Sequence, residues 1–390
     1  NDAPTVSAAL TDQATDQGSA FSFGVPAGTF ADIDSGDTLT LSASTPAWLS
    51  FDATTGTFSG TPANSDVGTA AITVTATDSQ GATVTSTFNL VVNNVNDAPV
   101  LDPIAQVSAK EDGAVVKGTI TSTDIDAGDT ATYTIATSVA GLTFNNDGTW
   151  TFDPSNAAYQ SLPEGQTQTL TIPVTVTDSA NATDTKDLVI TLTGTNDAPV
   201  LNAISAQTVA EDASISGSVT GSDVDAGDTI TYSIANPVDG LTLNTDGSWA
   251  FDASHAAYQS LGVGQTQVLN IDVTGTDSQG ASDVQTLSIT VTGTNDAPTV
   301  SAALTDQATD QGSAFSFGVP AGTFADIDTG DTLTLSASTP AWLSFDAATG
   351  TFTGTPTNSD VGTTSITVTA TDSQGATVTS TFNLVVNNVN

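Results

Sequence analysis

Apolar and polar side chains alternate with a period of two through much of the chain. In Ala71-Ile72-Thr73-Val74-Thr75-Ala76-Thr77 the residues Ile72, Val74 and Ala76 fall on one face and the threonines on the other. That is the spacing of a half-buried strand. The turn Asp78-Ser79-Gln80-Gly81 follows, then a second apolar run over 87–92. The same pattern returns at 170–176 and 188–192. Valine and threonine abundance, with turns rich in Gly, Asp and Asn about every ten residues, predicts antiparallel strands. No window carries the apolar stripe of an amphipathic helix. About seven short strands per hundred residues predict an all-β chain of Greek-key β-sandwiches.

A short motif divides the chain. Val-Asn-Asp-Ala-Pro or Thr-Asn-Asp-Ala-Pro stands at 95–99, 195–199 and 294–298, and the chain opens on Asn1-Asp2-Ala3-Pro4. It stops at Val389-Asn390, where a further copy would begin, so the expectation is a segment of a longer repeat array. Four domains are expected, over residues 1–96, 97–196, 197–295 and 296–390. Each joint carries a proline, which fixes φ and cannot continue a central ladder. Thr5–Asn96 and Thr299–Asn390 differ at only six positions. The inner repeats form a second type, sharing Glu111-Asp112 with Glu211-Asp212 and Ala157–Leu162 with Ala256–Leu261. The order is A-B-B-A, that of an extended, quasi-one-dimensional rod.

Charge changes the picture. There are 43 acidic residues against 3 lysines and no arginine, a formal net charge of −40. Nucleic-acid binding needs cations to displace phosphate counterions, and anionic membrane surfaces would repel the chain, so neither partner is expected. No run is long and apolar enough to insert in a membrane. All but three of the acids are aspartate, the exceptions being Glu111, Glu164 and Glu211. Aspartate suits turns and is a common Ca²⁺ ligand. Without cysteine there is neither a disulfide framework nor a thiolate metal site.

The aspartates recur as Asp-x-Asp-x-Gly-Asp: Asp32, Asp34, Asp37; Asp124, Asp126, Asp129; Asp223, Asp225, Asp228; Asp326, Asp328, Asp331. On an extended segment the first two point to one side, and hard oxygens so gathered suit Ca²⁺. A solvated acidic turn is the plainer alternative, weakened by fourfold recurrence. Asp78, Asp178, Asp277 and Asp372 close the penultimate strands, where capping a hairpin turn is an equal reading.

Repeats 1 and 4 resemble dystroglycan-type cadherin-like domains, the Ig-like type of bacterial surface proteins. The resemblance rests on Pro46–Asp52, Thr55–Pro62 and Ala76–Gly81, returning at Pro340–Asp346, Thr349–Pro356 and Ala370–Gly375. Repeats 2 and 3 resemble VCBS repeats, through Glu111-Asp112, Thr123–Asp129 and their counterparts. Together they cover essentially the whole chain and imply immunoglobulin/cadherin-like sandwiches with Ca²⁺ held at the joints. Carried over from cadherins, joint 1/2 would use Asp16, Asn96, Asp97, Asp124, Asp126 and Asp178. Joint 2/3 would use Glu111, Asn196, Asp197, Asp223, Asp225 and Asp277. Joint 3/4 would use Glu211, Asn295, Asp296, Asp326, Asp328 and Asp372, while Asp32, Asp34 and Asp78 occupy the same positions in repeat 1. The linker departs from the cadherin pattern, with Asn94, Gly194 and Gly293 in place of a leading aspartate and one asparagine missing.

The function expected is a Ca²⁺-stiffened structural spacer of a bacterial cell-surface adhesin or extracellular matrix fibre, with the neighbouring repeats of its parent chain as partners. The alternative is a module that binds polysaccharide or like arrays on other cells. Exposed tryptophans would favour the alternative, and buried ones the spacer. No enzyme is expected: the single histidine, His255, is unrepeated, and no carboxylate pair stands apart from the rest.

Overall fold

The computed structural model describes residues 1–389; Asn390, the last residue of the fourth expected domain, lies outside them. Repeat 1 sets the plan. Its strands are β1 (Thr5–Val6), β2 (Gln13–Asp16), β3 (Phe21–Gly24), β4 (Phe30–Ala31), β5 (Thr40–Ser44), β6 (Leu49–Asp52), β7 (Thr57–Gly60), β8 (Gly68–Thr77) and β9 (Thr83–Asn93). One sheet has the order β2-β9-β8-β5 and the other β3-β7-β6, while β1 pairs only with β4. The seven longer strands match the expected number, and the short β1/β4 pair adds two. β2 runs parallel to β9, Gln13 opposite Leu90 and Asp16 opposite Asn93; every other pairing is antiparallel. The other three repeats have the same three-part sheet pattern. No α-helix occurs among the described residues, so none could cross a membrane.

The alternation predicted for β8 is realised, with Ile72, Val74 and Ala76 fully buried and Thr73 bonded across the solvent face to Thr87. Pro173 lies inside the strand Thr167–Thr177, opposite Asp187 on one side and just past the end of the Thr132–Ile135 ladder on the other, an edge position that a residue without an N–H can occupy. Each repeat has its own hydrophobic core. In repeat 1, Phe58 lies between Phe51 and Phe88, with ring centroids 4.5 and 5.7 Å away. In the inner repeats Trp150 and Trp249 are buried, and Gly118 and Gly217 make room for their indoles, since a Cβ at either would come within 2.7 Å of the ring. Trp48 and Trp342 pack edge-on against Phe21 and Phe315.

The chain divides into two compact units, Asn1–Thr195 and the chain from Asn196 onward, each holding two repeats.

Candidate metal centre

The Asp-x-Asp-x-Gly-Asp segments are turns rather than strands, and this decides where their carboxylates go. The first aspartate accepts the backbone N–H of the second at 2.9 Å in Asp124/Asp126 and at 3.0 Å in Asp326/Asp328. The glycine then adopts a left-handed φ, 94° at both Gly128 and Gly330. The chain reverses, so the two aspartates part company. The first meets the third aspartate and the one that ends the penultimate strand. Oxygens of Asp32, Asp37 and Asp78 lie within 4.8 Å of one another, as do those of Asp124, Asp129 and Asp178, of Asp223, Asp228 and Asp277, and of Asp326, Asp331 and Asp372. The third aspartates, Asp37, Asp129, Asp228 and Asp331, therefore belong to these carboxylate clusters, although the carried-over ligand sets do not include them. They are part of the motif, but on extended backbone a residue five positions on would point away from the first aspartate.

The second aspartate holds the linker. Asp126 accepts the Asp97 N–H at 2.7 Å, Asp225 that of Asp197 at 2.9 Å, and Asp328 that of Asp296 at 2.9 Å. Asp34 does the same for Asp2 at 2.7 Å. The linker asparagines turn their amide nitrogens to the penultimate-strand aspartates: Asn96 to Asp178 at 2.8 Å, Asn196 to Asp277 at 2.9 Å and Asn295 to Asp372 at 3.0 Å. The other oxygen of each of these aspartates accepts N–H groups of its own hairpin turn, as Asp178 does from Ala180 and Ala182. Turn-capping and site-building thus coexist in one side chain.

A second kind of cluster joins repeats 3 and 4. Glu211, Asp296 and Asp328 bring oxygens within 4.8 Å of one another. Glu211 is 1% exposed, and neither of its oxygens completes a hydrogen bond; Oδ2 of Asp296 and Oδ1 of Asp328 are likewise buried and unbonded. Glu111 is equally buried and accepts the Thr195 N–H.

The counterpart of these glutamates in repeat 1 is not Asp16. Glu111 and Glu211 donate their N–H groups to Thr193 and Thr292, and in repeat 1 it is Gln17 that donates to Asn93. Each is followed by a left-handed residue, Asp112, Asp212 or Gly18. Asp16 lies one position earlier, on the β2 face where it accepts from the Asn93 amide at 3.0 Å. The register thus takes Asp16 out of the carried-over set.

The electrostatics divides the carboxylates in two. The asparagine amide hydrogen bond, above all, holds Asp78, Asp178 and Asp372 below the usual carboxylate range. Burial works against this at Asp277, but the bonds from Asn196 and its turn outweigh it and lower that group too. Burial first, and then neighbouring carboxylates, raises Asp225, Asp296 and Asp328. Burial pushes Glu211 up to about 7, with Asp296 and Asp328 adding to the shift; the nearby Thr294 amide offsets only part of it. At an effective dielectric near 20, two charges 4.8 Å apart repel by about 3 kcal/mol, and solvent screening reduces this further. The chain has no arginine and only three lysines to offset this repulsion. Hard, all-oxygen donors with orphaned buried atoms fit a Ca²⁺ ion, which takes six to eight oxygens in flexible geometry.

Residues 3–93 and 297–387 match the family model described as "Putative Ig domain". Residues 96–194 match a bacterial cadherin-like domain and residues 196–290 a bacterial Ig domain. The chain is a tandem of bacterial Ig and cadherin-like domains. A comparison with curated proteins finds no match. Among solved structures, extracellular cadherin domains 1–5 of protocadherin gamma B2 are similar at 14% identity and a TM-score of 0.53, covering all of this chain and 82% of that one. Domains 3–6 of protocadherin gamma B7 share 16% identity, with a TM-score of 0.46 over 98% of this chain and all of that one. Mouse cadherin-23 domains 22–24 also share 16%, with a TM-score of 0.46 over 76% of this chain and all of that one. The first of these supports the fold, a succession of cadherin-like sandwiches. Bacterial cadherin-like domains in tandem are adhesin-like, extracellular structural or adhesion modules, and none of these families is known for catalysis.

Proposed function

We propose that this tandem is a Ca²⁺-stiffened spacer in a bacterial cell-surface adhesin or extracellular fibre. Its domains would span 1–96, 97–196, 197–295 and 296–390, with the inner two of the VCBS type. The observation that carries the reading is Glu211: a buried glutamate of repeat 3 with two unbonded oxygens, facing the linker aspartate Asp296 and Asp328 of repeat 4. Such a group is costly without a countercharge, and a divalent ion gathering it would tie three chain segments into one body. The bound ion supplies that countercharge and a shared coordination shell. Asn295 and Asp296 hold the linker against repeat 4 through Asp372 and Asp328, so the protein brings the ligands together at the joint.

Buried Trp150 and Trp249 leave no indole platform for sugar stacking in the inner repeats, which favours a spacer over a polysaccharide-binding module. The test is small-angle scattering of the chain in millimolar Ca²⁺ and in chelator. The expected result is a long, stiff particle that shortens and becomes flexible when the ion is removed. Identical scattering profiles under the two conditions would overturn the proposal.

A further inference from the structure

The two joints that lie within the compact units are built differently, and the difference turns on one pair of residues. At joint 3/4 the residue after the parallel strand is Glu211, with both oxygens buried and unbonded beside Asp296 and Asp328. At joint 1/2 the same register position is Gln17. Its amide nitrogen donates to Oδ2 of the linker Asp97 at 2.9 Å and to the Val95 carbonyl at 3.1 Å. Asp97, the counterpart of Asp296, is therefore partly satisfied by a neutral donor from within the protein. All that Gln17 could offer an ion is its carbonyl oxygen, which is buried and unbonded. The carboxylates that converge there number two, Asp97 and Asp126, against the three that lie within 4.8 Å of one another at joint 3/4. At joint 3/4 Asp212, with Gly18 in its place at joint 1/2, adds a further charge near Asp296. The Asp-x-Asp-x-Gly-Asp turns, by contrast, give both joints the same second cluster: Asp124, Asp129 and Asp178 at one, Asp326, Asp331 and Asp372 at the other.

Taking the Ca²⁺ reading of the joints as its basis, we propose that joint 3/4 takes two divalent cations in the same affinity range, whereas joint 1/2 takes one, its second position at least about tenfold weaker because Gln17 stands where Glu211 does. Ca²⁺ affinity follows the number of charged ligands and the rigidity of the site. The loss of one carboxylate, and competition from the Gln17 amide for Asp97, both act against the ion. A chain of such joints would soften unevenly as free Ca²⁺ falls: the joint after a repeat of the first type would yield before the joint after Glu211.

The test counts bound Ca²⁺ per full chain by equilibrium dialysis over free concentrations of roughly 10⁻⁵ to 10⁻² M, the span around extracellular Ca²⁺ modules. Three proteins are compared, the parent chain, E211Q and Q17E. E211Q should move one ion from the tight class to the weak class, and Q17E should move one the other way. Circular dichroism in saturating Ca²⁺ establishes that each is folded; if E211Q does not fold, the gain in Q17E decides. A parent that binds several ions alongside variants with unchanged binding curves would refute the asymmetry and leave the spacer reading standing. A parent that binds none would overturn both.

Discussion

Gly293 shows how tightly a joint is built, and Gly293→Ala tests the account. The residue lies in the linker where a cadherin would carry a ligand aspartate. A Cβ there would lie 2.2 Å from the Leu261 carbonyl oxygen and 2.4 Å from that of Gly262. Ordinary contact begins near 3.4 Å, so backbone must move by about an ångström. The obstacle is a loop that cannot yield freely. Gly293 donates to the Gln265 carbonyl at 3.0 Å, and the Gln265 side chain and Ser260 carbonyl both bond to Thr329 of repeat 4. Overpacking typically costs 1–3 kcal/mol, and two backbone oxygens place this site at the upper end, about 3 kcal/mol. For a domain of about 100 residues that lowers the melting temperature by roughly 10–20 °C. Differential scanning calorimetry of the full chain in excess Ca²⁺ should show one transition displaced by that amount. Gly318→Ala is the control, since its Cβ would meet nothing closer than Thr351 Oγ1 at 4.0 Å. If G293A melted within about 2 °C of the parent, the packing argument for the glycine would be wrong.

Asp331→Asn should weaken cation binding by roughly tenfold or more, whereas Asp16→Asn should leave it unchanged, because Asp331 shares a cluster with Asp326 and Asp372 while Asp16 faces Asn93; calorimetric titration distinguishes them, and equal effects would contradict the register. In chelator, Glu211 has a folded-state pKa of about 7 against an ordinary 4.5. A raised carboxyl favours the folded state below its unfolded pKa and loses that contribution as pH rises through its folded value. The chelated chain should therefore lose thermal stability between about pH 4.5 and 7, E211Q should lose less, and parallel melting profiles for the two would refute this. Phe352→Ala should cost about 3–5 kcal/mol by denaturant unfolding, since Phe352 is fully buried among Phe345, Phe317 and Phe382; a loss below about 1 kcal/mol would mean the core closes over the gap.

The strands were legible because burial on one face forces alternation, and Ile72, Val74 and Ala76 carry it without interruption. The site was legible only in part, for two physical reasons. First, a period-two argument groups Asp32 with Asp34, whereas the hydrogen bond from the Asp34 N–H to Asp32 at 2.9 Å bends the backbone and sends them to different tasks. The cue lay in the glycine: a residue free to take φ of 101° at Gly36 marks a reversal that returns Asp37 to the first aspartate's side. Second, choosing between Asp16 and Gln17 requires the parallel register of β2 on β9, a pairing between segments more than seventy residues apart. Sequence does contain a local proxy, since each true counterpart precedes a residue suited to left-handed backbone, Gly18 after Gln17 and Asp112 or Asp212 after the glutamates. Asp16 precedes none. The distinction matters because a one-residue slip turns a strand residue to the opposite face. It converts a carboxylate aimed at the joint into one spent on the solvent side of a sheet, and so changes the charge available to an ion at joint 1/2.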